Sequence, residues 1–194
     1  MTPLHLLLCV AAVLPLTTTG DEDSEKDWYT TWPWYTSTPY PNTRTPSTNE
    51  CDMPFLRVGD RCVLVVPFVT GTWEESRYYC HTQNSELVQT DNINFFYNLL
   101  NYLRDEGLEQ HSYWLGARDI DVEGEFRWTI GDGLVPMGSP FWAIKYSSST
   151  YYDIEPLGTT TSNCIRMDHV RHLYLDDEDC DHEYSFMCEK KLRV

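Results

Sequence analysis

Most of the charged side chains in this sequence that could bind a ligand or take part in a reaction are acidic. The 194 residues include 30 Asp and Glu against 14 Lys and Arg, which gives a formal net charge of −16. Six of these carboxylates crowd the segment Asp176 to Glu183. Such a surface repels phosphate, which argues against nucleic acid as a partner, and it favours cations such as calcium or basic partners.

Catalytic motifs are missing from the sequence, so an enzyme is not expected. It has no Gly-x-Ser-x-Gly elbow, phosphate-binding loop or His-Glu-x-x-His motif, and no spacing singles out a carboxylate pair for acid–base work. His169 and His172 have helical spacing, and His182 is flanked by acidic residues. These histidines suit either a zinc or pH-sensitive site or ordinary exposed loops.

The N-terminus and the cysteines predict a secreted protein. Leu4 to Leu16 is almost entirely apolar and is followed by small or polar residues, which is typical of a secretory signal over residues 1–20. The run is too short for a membrane span, and no second stretch approaches that length. Cys9 leaves with the signal. The remaining cysteines, six in number, predict a disulfide framework for which spacing alone leaves about 15 pairings open.

Residues 21–50 are predicted to form a linker or stalk that is first acidic and then rich in Thr, Ser and Pro. Its four prolines disfavour a helix, and its hydroxyls suit O-glycosylation. The segment also holds six Trp and Tyr residues, more than a plain linker needs. Stacking of these rings on a sugar or a partner, or packing against the domain, therefore stays open.

The elements that hold the acidic residues in place begin after Cys51. Residues 57–69 form a strand-like apolar run that is interrupted at Gly59. Thr72, with Glu75 three residues later, predicts a capping box that starts a helix.

A second helix is predicted after Asp91 or Asn92, either of which is a suitable N-cap, and Gly107 provides its stop. Its apolar residues at helical spacing are Ile93, Phe96, Leu99, Leu100 and Leu103. From His111 onward the chain consists of short apolar or aromatic runs separated by Gly, Pro and Ser. Two early helices followed by many short strands predict an α+β fold.

The stretch Cys51 to Glu189 resembles the C-type lectin-like domain in its six-cysteine long form. The matching motifs, in chain order, are Trp73-Glu74-Glu75-Ser76 with Tyr79-Cys80, Ser85-Glu86-Leu87-Val88, Trp114-Leu115-Gly116, Glu123-Gly124-Glu125-Phe126-Arg127-Trp128 with Gly131-Asp132-Gly133, Cys164, Cys180, and Phe186-Met187-Cys188-Glu189. The resemblance implies one domain over residues 51–194, with two helices, small antiparallel sheets and a long loop region. It also implies the disulfides Cys51–Cys62, Cys80–Cys188 and Cys164–Cys180.

The resemblance further implies a calcium and sugar site. Sugar-binding members hold calcium with a Glu-Pro-Asn or Gln-Pro-Asp tripeptide, an acidic residue before a later cysteine, and a Trp-Asn-Asp tripeptide. In this chain Glu155-Pro156-Leu157 replaces the first, Ser162 stands near the second, and Leu175-Asp176-Asp177 replaces the third. The implied ligands are therefore Glu155, Asp176 and Asp177, while Leu157 stands where an oxygen ligand is expected. Glu-Pro favours mannose-type sugars in this family, but Leu157 removes part of that signal.

Some members of the family have a second, structural calcium position. Asp119 and Glu123 match its carboxylates, and Asn163 lies near its third ligand. An ion there would tie down the long loops. The alternative is that residues 119–123 form an acidic, solvated loop.

Three functional hypotheses follow. The first is a secreted C-type lectin that binds glycans with the assistance of calcium, such as microbial surface sugars in innate defence. The second is a lectin-like domain that binds protein or lipid ligands without calcium, through the aromatic residues Trp142, Tyr146, Tyr151 and Tyr152. The third is an acidic protein associated with a matrix or a mineral. The oligomeric state is left open.

Overall fold

The computed structural model describes residues 51–138, 140–146, 152–158 and 160–192. The predicted signal and linker, residues 1–50, lie outside these ranges. The elements within them are β1 Leu56–Val58, β2 Arg61–Gly71, α1 Trp73–Thr82, β3 Glu86–Leu87, α2 Ile93–Asp105, β4 Tyr113–Arg118, β5 Arg127–Trp128, β6 Ile144–Tyr146, β7 Tyr152–Ile154, β8 Cys164–Asp168, the 3-10 turn His169–Arg171, β9 Tyr174–Glu178 and β10 Tyr184–Lys191. The α+β prediction is confirmed.

Both helices begin at the residues whose side chains cap them. The backbone N–H of Glu75 donates to Oγ1 of Thr72 over 3.3 Å, and the Glu75 carboxylate accepts from the N–H of Thr72 over 3.0 Å, which completes the predicted capping box. For α2, Asn92 rather than Asp91 is the cap, since its Oδ1 accepts from the backbone of Asn94 and Phe95. The apolar side of α2 is buried at Phe95, Phe96, Leu99, Leu100 and Leu103.

The strands form one eight-stranded sheet and one two-stranded sheet. The main order is β1-β2-β10-β4-β8-β9, with β3 added to β10 and β5 added to β4. All neighbours are antiparallel except β10 and β4, which run parallel. The small sheet pairs β6 with β7.

The Trp114-Leu115-Gly116 motif lies at the centre of this sheet. Trp114 is fully buried and its Nε1 donates to the carbonyl of Gly71 over 2.9 Å. A Cβ atom on Gly116 would approach the carbonyl oxygen of Leu87 to 2.7 Å. Glycine is therefore required there because the neighbouring backbone leaves no room for a side chain.

The three implied disulfides are present. Cys51–Cys62 ties the start of the domain to β2, Cys80–Cys188 joins α1 to β10, and Cys164–Cys180 connects the start of β8 to the residues after β9. Within the described ranges, no helix combines the length and apolar character needed to cross a membrane.

Candidate functional site

Glu155, Asp176 and Asp177 converge on one point of the loop region. Glu155 directly follows β7, and the two aspartates are consecutive residues of β9. Each carboxylate offers an oxygen within 4.8 Å of the oxygens from the other two. The three residues are 4%, 4% and 9% exposed. The implied ligand set is thus brought together in a largely buried cluster.

The loop that carries Glu155 is held by backbone hydrogen bonds. The N–H of Glu155 donates to the carbonyl of Ala143 over 3.0 Å, and the Glu155–Pro156 peptide bond is cis. The N–H of Leu157 donates to Oδ1 of Asp177 over 3.0 Å, while the Leu157 side chain is 46% exposed. Asp177 therefore orders the loop through the loop's backbone.

Two arginines enter the cluster. Nη1 of Arg171 donates to Oε1 of Glu155 and, over 2.8 Å, to Oδ1 of Asp176. Nη2 of Arg166 donates to the other oxygen of Asp176 over 2.9 Å and lies 3.0 Å from Oε2 of Glu178. Both oxygens of Asp176 are consequently bound to guanidinium groups.

Burial shapes the protonation of the two aspartates. It raises the pKa of Asp176 to about 6, although Arg166 and Arg171 act in the opposite direction. Burial also raises the pKa of Asp177, although the N–H of Leu157 opposes the change. The two guanidinium groups therefore favour the charged form of Asp176.

Residues 69–190 match the family model of the lectin C-type domain, which covers more than half of the chain. The chain belongs to this family. Among curated relatives, natural killer cells antigen CD94 of Macaca mulatta is 26% identical over 161 residues, which cover 80% of this chain and 75% of CD94.

Solved structures share the fold of this C-type lectin domain. The cow carbohydrate-recognition domain of CD23, solved in the presence of a GlcNAc2Man3 oligosaccharide, has a TM-score of 0.55 at 21% identity and covers 74% of this chain and 97% of that one. A calcium-independent type II antifreeze protein has a TM-score of 0.56 at 17% identity and covers 74% and 95%. At these identities the likeness concerns the fold alone.

Calcium does not fit the carboxylate cluster of this C-type lectin domain as the side chains are arranged. Glu155 and Asp176 have Arg171 as an internal partner, and Asp177 has the backbone of Leu157. Calcium takes about six to eight oxygen ligands. Leu157 adds no side-chain oxygen, so only the three carboxylates are left to supply them. Calcium at this position stays a prediction, and the hydrogen bonds disfavour it.

The second predicted calcium position has a different character. Asp119 is 4% exposed; its Oδ2 accepts from the N–H of Gly124 over 2.7 Å, while its Oδ1 is buried with no hydrogen-bond partner among the described residues. The N–H of Asp119 donates to the carbonyl of Asn163, which holds these two predicted ligands together. Glu123 is exposed. The buried Oδ1 of Asp119, which lacks a donor, is the one observation that favours a cation here.

The histidines do not join a metal cluster in the part of the chain that the structure describes. There, only Glu155, Asp176 and Asp177 bring three His, Cys, Asp or Glu ligand atoms together. Nδ1 of His169 lies 2.9 Å from Oγ of Ser112, and Nδ1 of His182 lies 3.1 Å from Oε1 of Glu178. The alternative of ordinary loop histidines is therefore favoured.

An apolar groove adjoins the carboxylate cluster. A cavity of about 550 Å³ is lined by Tyr97, Pro140, Trp142, Ile144, Val170, Arg171, His172 and Tyr174. Trp142, one of the aromatic residues of the second hypothesis, is 1% exposed and donates through Nε1 to the carbonyl of Pro136. Its ring is therefore a core residue that borders the cavity from below the surface and is not an exposed ligand-facing aromatic. Tyr152 is 62% exposed, and Tyr151 lies outside the described residues.

Arg166 and Arg171 were not predicted as residues of the site. No motif marks either residue, and their only signal is positive charge within an acidic stretch. Arg166 lies opposite Asp176 in the β8–β9 register, a pairing that becomes visible only when the register of the hairpin is known.

Proposed function

We propose that this protein is a secreted lectin that recognises glycans at the loop face around Glu155, Asp176, Asp177 and Arg171. The observation that carries the proposal is a cavity of about 240 Å³ that these side chains line together with Lys145. Carboxylates accept hydrogen bonds, whereas guanidinium and ammonium groups donate them. Neighbouring sugar hydroxyls do both, so a cavity with both kinds of group complements them.

Family membership supports binding as the role of this domain, since the family is a lectin family. Three disulfides favour an oxidising compartment, which agrees with the predicted signal segment. We propose microbial surface sugars, met outside the cell in innate defence, as the glycan class. No step of this proposal involves catalysis.

A glycan array tests the proposal, run with and without a calcium chelator. We expect the wild type to bind a restricted set of glycans. Glu155→Gln, which removes one acceptor charge at nearly constant volume, should lower the bound signal about tenfold, since losing a buried charged hydrogen bond costs roughly 1.5 kcal/mol or more. Asp105→Asn, an exposed change at the end of α2, is the control and should bind like the wild type. An array that stays silent in both arms would refute glycan binding.

The apolar groove favours a second candidate, a protein ligand bound without calcium. Val170, Ile144 and Tyr97 line it and are 71%, 50% and 43% exposed. Contiguous exposed apolar groups commonly mark a protein interface. Binding of the wild type to a glycan-free cell-surface protein, lost in Val170→Glu, would support this candidate over the first.

We propose calcium only at the Asp119, Glu123 and Asn163 position, where the buried Oδ1 of Asp119 lacks a donor. An ion there would contribute loop stability. Chelator is expected to lower the melting temperature of the wild type and to leave that of Asp119→Asn unchanged. Equal responses of the two proteins to chelator would contradict this assignment.

A further inference from the structure

Arg171 contacts two of the three carboxylates of the cluster, Glu155 and Asp176, and also lies near Asp168. Its Nη1 contacts Glu155 and Asp176, and its Nε lies 3.6 Å from Oδ2 of Asp168. Three carboxylates thus surround one guanidinium. The Arg171 side chain is 22% exposed, so most of it is withdrawn from water.

Local structure directs Arg171 to this point. It is the last residue of the 3-10 turn His169–Arg171. Asp168 caps the start of this turn, since its Oδ1 accepts from the N–H of Val170 over 3.3 Å. His172 then adopts a left-handed backbone, with φ of 59°, and ends the turn. The turn lies between β8 and β9, and Asp176 belongs to β9. The arginine and one of its acceptors are therefore only five residues apart on a short, capped connection.

The buried negative charges of Glu155 and Asp176 explain why an arginine is needed between them. Glu155 and Asp176 are each 4% exposed. Carboxylates removed from water at such short separations repel each other strongly unless a cation or donor lies between them. Arg171 supplies both the positive charge and the N–H groups, and it reaches the cluster from the same chain.

We propose that the guanidinium of Arg171 takes the place of a divalent cation in this site. The wild-type cluster of Glu155, Asp176 and Asp177 then binds no calcium, and the loop face presents a fixed organic cation to its ligand. This inference goes beyond the proposed glycan binding and concerns only the cation that neutralises the cluster. It holds or fails whether the ligand is a glycan or a protein.

Calorimetric titration of the full secreted chain with calcium chloride tests the inference. Arg171→Ala should bind one more calcium ion per chain than the wild type, because Glu155 and Oδ1 of Asp176 lose their cation, while Arg166 still binds only Oδ2 of Asp176. The double variant Arg171→Ala with Asp177→Asn should lose this added site. Arg171→Lys keeps a positive charge and should add none. Arg57→Ala, an exposed change on β1 at the opposite end of the sheet order from β9, is the control and should titrate like the wild type.

Two results would overturn the inference. One is a folded Arg171→Ala, shown by its circular dichroism spectrum, that gains no calcium site. The other is a fall in the calcium stoichiometry of the otherwise wild-type protein on Glu155→Gln, because calcium would then already occupy the cluster. The second comparison decides the question by itself if Arg171→Ala does not fold. Neither readout depends on a glycan, so a silent array leaves the inference open to its own test.

Discussion

Replacing Gly158 by alanine should disturb the carboxylate cluster without changing a charge. A Cβ atom at this position would overlap Oδ2 of Asp177 and Cβ of Ser162, and it would lie 2.9 Å from Cγ of Asp177. The backbone of Gly158 is not left-handed, so the expected cost is steric and not conformational. Either the Asp177 carboxylate or the loop must move.

The size of the effect follows from two contributions. Forcing extra volume into a packed site costs about 1 to 3 kcal/mol. Displacing Asp177 also breaks its 3.0 Å hydrogen bond with the N–H of Leu157, which is worth about 1 kcal/mol. We therefore expect Gly158→Ala to lower the free energy of unfolding by about 2 to 4 kcal/mol.

Urea unfolding with the disulfides intact, followed by tryptophan fluorescence, measures this difference. Gly133→Ala is the matched control, because its Cβ would meet only Cδ1 of Trp128, at an ordinary 4.0 Å. The control should change stability by no more than about 1 kcal/mol. Equal unfolding midpoints for the wild type and Gly158→Ala would show that Asp177 does not pack over this loop, and the geometry of the site would be refuted.

Three further changes test the scaffold. Thr72→Ala removes the α1 cap and should cost about 1 kcal/mol in urea unfolding. Gly116→Ala should cost about 1 to 3 kcal/mol by the same measurement, because its Cβ would crowd the carbonyl of Leu87 and the hydroxyl of Thr129. Burial raises the pKa of Glu189 to about 7, above its ordinary 4.5, although Arg61 opposes this. The contribution of Glu189 to the free energy of unfolding is therefore fully present below about pH 4.5. It decreases by roughly 3 kcal/mol as the pH rises to about 7. Glu189→Gln should flatten that slope in unfolding measured across this range, and an unchanged slope would contradict the burial argument.

Local features of the fold were predictable because their partners are close in the chain. The capping box joins Thr72 to Glu75, and the buried face of α2 follows from apolar spacing within one helix. Helix starts need only a side chain and the backbone three residues away. The choice of Asn92 over Asp91 as the second cap was not predictable, since both residues can make the same hydrogen bonds.

Long-range features needed either the family resemblance or the tertiary structure. The cysteine spacing left the pairing open, and the resemblance selected Cys80–Cys188, which spans 108 residues. Trp142 lies among the aromatic residues of the loop region, which suggested a ligand-facing role, yet the structure buries its side chain. Burial depends on which segments pack over a ring, and no local pattern near Trp142 encodes that packing.

By itself the sequence determined the residue types at the site, three carboxylates and a leucine, while the expectation of an oxygen ligand in place of that leucine came from the family resemblance. Only the tertiary structure decided what neutralises those carboxylates. Arg171 contacts Glu155 because the loop after β7 and the turn after β8 meet in space, although 16 residues separate the two in the chain. A charge pairs with whichever opposite charge lies nearest in three dimensions when water is excluded, and that distance is a property of the fold.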